Sequence, residues 1–87
     1  MKRNEMNEEQ KKRNDLLVAA FEKKRDMYNE INWNRGFSDY QFYMAKKDLC
    51  ESMALILNNA EDVDLAAFYK NAAVGFEERA RKLSIGA

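Results

Sequence analysis

Apolar residues recur along this chain at steps of three and four, broken twice by short polar stretches, and that rhythm predicts three helices and no strand. In the first segment Leu16, Leu17, Ala20, Phe21, Met27, Tyr28 and Ile31 fall on one helical face. In the second, Phe42, Ala45, Leu49, Cys50, Met53, Ile56 and Leu57 form one broad stripe. The third carries an a/d-like series of Leu65, Tyr69, Ala72, Phe76 and Leu83, with Phe68 beside it. Ala66, Ala73 and Ala80 add a small-residue edge with a period of seven, which lets a neighbouring helix come close.

The polar stretches carry start and stop signals. Asn7 and Gln10 suit a capping box with Glu8 and Glu9 in the first turn, so the first helix is expected over about 7–31. Residues 1–6 are expected to fray. Within residues 1–15 the pairs Glu8→Lys12 and Glu9→Arg13 stand in the favourable i,i+4 order, so this stretch is either a solvated helical extension or a frayed arm. Asn32-Trp33-Asn34-Arg35-Gly36 reads as a connection. Ser38 and Gln41 form a second capping box, with Phe37 placed to staple onto Phe42, and open a helix over about 38–58. Asn58-Asn59 tolerate left-handed backbone, and Glu61, Asp62 and Asp64 suit the positive end of a helix over about 62–84, which Gly86 can stop. Gly75 lies inside that helix, where crowding against a partner helix would account for it. The expected fold is all-α: a small three-helix bundle, a helical hairpin plus a third helix, in one domain over 1–87.

Composition removes most chemistry. There is no histidine, no proline and one cysteine, so imidazole acid–base catalysis, clustered Cys/His metal sites and a base-activated nucleophile cannot be assembled in their usual forms. Fifteen basic residues balance fifteen acidic ones, so there is no bulk charge of the kind phosphate backbones select. The longest apolar run, Leu16 to Phe21, is too short for a membrane span or a signal-peptide core, and one unpaired cysteine suits a reducing compartment. A cytoplasmic location without membrane association is expected. A chain of 87 residues buries only about 60–65% of its unfolded surface, which leaves a thin margin of stability.

The remaining candidates have structural readings. Cys50 is expected as a small buried hydrophobe on the second stripe. Asp62-Val63-Asp64 resembles the start of a calcium loop but lacks its glycine and closing glutamate, and reads as an acidic helix start. The Lys-Lys-Arg clusters at 11–13 and 23–25 are flanked by acids and read as a salt-bridged face. Arg13, Lys24, Lys46 and Arg79 fall within the apolar stripes, where long cations snorkel from the edge of a small core or set register in an interface. Met44 and Leu55, separated by Asp48 and Glu51, lie opposite the second stripe, and Val63, Ala67 and Val74 lie opposite the third. These secondary strips suggest a self- or partner-interface.

The spacing from Arg25 through Gly36-Phe37 to Leu49 is similar to that of the small helical-hairpin phosphatases acting on a sporulation response regulator, whose second helix carries Ser-Gln-Glu-Leu-Asp. Here the aligned run is Lys46-Lys47-Asp48-Leu49-Cys50, which keeps Leu49 by identity and Asp48 by charge and lacks the motif's Ser and Gln. No phosphatase activity is expected from it.

The function expected is contact rather than chemistry: a non-enzymatic, protein-binding regulator, inhibitor or assembly adaptor, with no catalytic residue, cofactor or metal. Trp33, Arg35, Phe37 and Tyr40, at the corner between the first two helices, are residue types suited to binding hot spots, with Met44 and Leu55 next in line. A homodimer is expected at micromolar concentration or above. The alternative is a nucleic-acid-binding regulator using the basic clusters of the first helix.

Overall fold

The computed structural model describes residues 6–86, with side chains as far as Leu83. It is a small all-α three-helix bundle of α1 (Glu8–Arg35), α2 (Asp39–Asn59) and α3 (Val63–Gly86), and no strand occurs among the described residues. The expected fraying concerns residues that lie, apart from Met6, outside the described ones.

Both capping boxes form. Asn7 Oδ1 accepts from the Gln10 amide at 2.8 Å while Gln10 Oε1 accepts from the Asn7 amide at 3.1 Å. Ser38 and Gln41 make the same exchange at the head of α2. The Phe37 ring meets Tyr28 edge-on at 6.2 Å between centroids, and Phe42 pairs with Tyr43.

Two boundaries differ from expectation. Residues 32–35 are the last turn of α1 rather than a connection. Gly36, at φ 75°, donates its amide to the Asn32 carbonyl, and Asn32 Oδ1 accepts from the Phe37 amide, so Asn32 closes the helix end from within it. At the second break the left-handed residue is neither asparagine but Glu61, at φ 64°. The Asp62 amide donates to the Leu57 carbonyl and the Glu61 amide to the Asn58 carbonyl, the Schellman pattern that requires this backbone just past the helix.

The bundle is open. α2 packs against both α1 and α3, whereas α1 and α3 make no contact with each other. The helical period explains this, because Asp48, Ser52 and Asn59 fall on one side of α2 and Tyr43 and Ala54 nearly half a turn away. Two neighbours on opposite sides make a layer of 50 × 26 × 16 Å. Its radius of gyration, 15.2 Å, exceeds the roughly 12 Å of a compact domain of this length.

Packing is correspondingly slight. The buried apolar residues are all alanines: Ala45, Ala54, Ala66, Ala73 and Ala80. Ala66, Ala73 and Ala80 are the predicted close-approach edge, at most 2% exposed and turned toward α2. Tyr43 and Phe76 stack across the same interface at 6.2 Å. Among the described residues no large side chain is fully buried. Leu16, expected on the core face of α1, is 73% exposed, and Met27 is also exposed, because α1 meets α2 along a narrow seam through Lys24 and Tyr28. Gly75 is not crowded either: a β-carbon there would meet nothing within 4 Å.

Candidate protein-binding surface

The corner residues fall on different parts of the molecule. Trp33 lies half a turn round α1 from Lys24, whose ammonium reaches α2, so its indole points away from the bundle and is 89% exposed. It does not cap the core. Arg35, on the same last turn, lines a shallow cleft with Met27, Glu30, Ile31 and Asn34. Phe37 is half-buried against Tyr28. Tyr40 is exposed and lines a second shallow cleft with Met44, Glu77 and Arg81, between α2 and α3. Leu55 is exposed about three turns further along α2 and lines neither cleft. The structure thus sets Trp33 and Arg35 on opposite sides of the last turn of α1, brings Tyr40 together with Met44, and leaves Leu55 apart.

The cations within the stripes are occupied inside the fold. Lys24 Nζ donates to Asp48 Oδ1 at 3.0 Å and to Ser52 Oγ at 3.2 Å. Arg13 Nη1 donates to Asn59 Oδ1 at 3.0 Å. Lys46 lies over the Phe42 ring and Arg79 over Phe76. Two of the six cations in the basic clusters of α1 therefore face α2. The seam's central acid is Asp48, which also accepts from the Tyr28 hydroxyl at 2.6 Å. Burial pushes the Asp48 carboxyl up, but the hydrogen bonds from Tyr28 and Lys24 and the nearby cations outweigh it and hold the group below its ordinary value. The same hydrogen bond, with burial and the Asp48 charge, pushes Tyr28 up to about 12.

Asn59, read from the sequence as a turn residue, is the only buried polar residue among those described. Its Nδ2 donates to the Gln10 carbonyl, its Oδ1 accepts from Arg13, and its own carbonyl accepts from Gln10 Nε2. Nothing in the local pattern distinguishes it from Asn58, because its partners come from the far end of α1.

Cys50 is half-buried, and burial pushes its thiol up, with Lys46 opposing, so the thiolate is disfavoured. Among the described residues no group of three or more metal-ligating side chains converges, and no helix is long and apolar enough to cross a membrane. No family model matches the chain, and neither a curated protein nor a solved structure shows significant similarity to it.

Proposed function

We propose that this protein is a non-enzymatic, protein-binding regulator, inhibitor or assembly adaptor that grips its partner through the end of α1, with Trp33 as the anchor and Arg35 on the other side of the same turn. The observation that carries this reading is the exposure of Trp33, 89% open to solvent on the last turn of a long helix. An indole left in water on a rigid element loses little conformational entropy when a partner covers it, and Trp and Arg head the residue types that dominate interface energetics. The inward use of Arg13 and Lys24 favours this reading over nucleic-acid binding, since it turns one cation of each basic cluster toward α2 and pairs Lys24 with Asp48.

The test is affinity capture with the intact protein and with Trp33→Ala and Arg35→Ala, followed by mass spectrometry and titration against the protein recovered. A partner lost from the Trp33→Ala capture, with affinity down by about thirtyfold or more, supports the reading. A partner bound equally well by both variants moves the interface elsewhere. Binding to duplex DNA or RNA that falls steeply with salt would replace this reading by the nucleic-acid one.

A further inference from the structure

On α3, Leu65, Phe68, Ala72, Gly75, Arg79 and Leu83 follow one another at steps of 3, 4, 3, 4 and 4, the spacing of a helix–helix seam. This stripe is distinct from the alanine edge that meets α2, about a third of a turn away round the helix. It has no partner helix among the described residues. Phe68 is 62% exposed, and Leu65 and Leu83 are exposed as well. At its centre Ala72, Gly75, Phe76 and Arg79 line an open notch. Gly75 weakens the helix, and among the described residues no atom beyond its own helical turn lies within 4 Å of where its β-carbon would stand, so no packing contact there accounts for it.

We propose that this stripe is the seam of a homodimer in which α3 lies antiparallel to α3 of a second copy, about a two-fold axis passing beside Ala72 and Gly75. The residues are self-complementary in that register. Ala72 faces the partner's Gly75, so the backbones approach closely where both side chains are smallest. Phe68 packs beside the partner's Arg79, whose guanidinium lies over Phe76 of its own chain. Leu65 lies beside the partner's Leu83.

Charge selects the same occupant. Asp62 and Asp64 stand at the start of α3, and Arg79, Arg81 and Lys82 near its end, so antiparallel pairing brings Asp64 to the partner's Lys82 on one flank. A parallel pair would set acid against acid and base against base. A two-fold axis makes each of these contacts twice. The seam lies across α2 from Trp33, so it is independent of the binding role assigned to α1.

Sedimentation equilibrium on the full chain tests the proposal, with circular dichroism confirming that each variant keeps its helicity. The parent is expected to be a dimer at micromolar concentration, and Phe68→Glu is expected to raise the dissociation constant by about thirtyfold or more. Asp64→Lys and Lys82→Asp each weaken self-association when alone, and mixing the two restores it, because both flank pairs become opposite in charge again. These positions are exposed, so this arm reads the interface even if Phe68→Glu unfolds. A strict monomer up to near-millimolar concentration overturns the proposal, as does a dimer indifferent to Phe68→Glu and to both charge swaps but broken by Met44→Glu with Leu55→Glu.

Discussion

The Tyr28 hydroxyl donates a 2.6 Å hydrogen bond to Asp48 Oδ2, while Lys24 holds the other oxygen of the same carboxylate. One α2 acid thus gathers two α1 side chains spaced four apart, on one face of that helix. An apolar contact would tolerate sliding between the helices, whereas this one fixes register.

That arrangement predicts pH dependence at both ends of the scale. Tyr28 is raised from 10.0 to about 12, so its contribution is complete below the ordinary tyrosine value and is lost as pH rises toward 12. Asp48 is lowered, so its contribution is complete above the ordinary carboxylate range and is lost as pH falls through the depressed value. Urea melts across pH, at fixed protein concentration, should show an alkaline loss of stability that Tyr28→Phe reduces. An identical alkaline limb in Tyr28→Phe would show that other groups cause it.

Asn59 clamps the other end of the same seam. Asn59→Ala leaves the Gln10 carbonyl and the Arg13 guanidinium without this partner and should cost about 1–3 kcal/mol in chemical denaturation. Hydrogen exchange should quicken first at the N-terminal turns of α1, with the α2–α3 pair still protected. Uniform loss of protection through all three helices would instead mean that α1 and the α2–α3 pair unfold together.

Local signals in the sequence were enough to locate the helices. The capping boxes at Asn7/Gln10 and Ser38/Gln41 depend on residues three apart, and the alanine edge at 66, 73 and 80 on a single helix. The arrangement of helices was not legible in the same way. Leu16 and Met27 share a three- and four-residue rhythm with Phe21 and Tyr28, and only the position of α2 separates exposed from covered members of that set. The role of Asp48 depends on Lys24 and Tyr28, more than five turns away through a reversal of the chain. The end of α1 falls one turn later than the turn-forming asparagines around Trp33 suggest, because Asn32 satisfies the helix end with its own carbonyl and side chain.

The alanine edge makes the α2–α3 interface intolerant of volume. Ala73, at the middle of α3 and 2% exposed, has no room to grow without separating the helices. Ala73→Leu should therefore destabilise the protein by about 1–3 kcal/mol through overpacking. Ala67→Leu, on the exposed side of the same helix, should stay within about 0.5 kcal/mol of the parent. Equal melting temperatures for the two variants would refute the close approach of α2 and α3.

Trp33 is the only tryptophan, so its fluorescence reports one site. With its indole 89% exposed, the free protein should emit at the red, solvent-like limit and be quenched efficiently by iodide or acrylamide. Trp33→Ala should leave stability within about 0.5 kcal/mol of the parent, because the substitution removes no core contact. A partner that grips the end of α1 should shift the emission to the blue and shield it from quencher. Self-association through α3 should leave both properties unchanged, since the indole lies on the far side of α2 from that seam. Blue, poorly quenched emission that reddens on dilution, together with loss of dimer in Trp33→Ala, would place Trp33 in the contact between copies and transfer the self-association surface to α1.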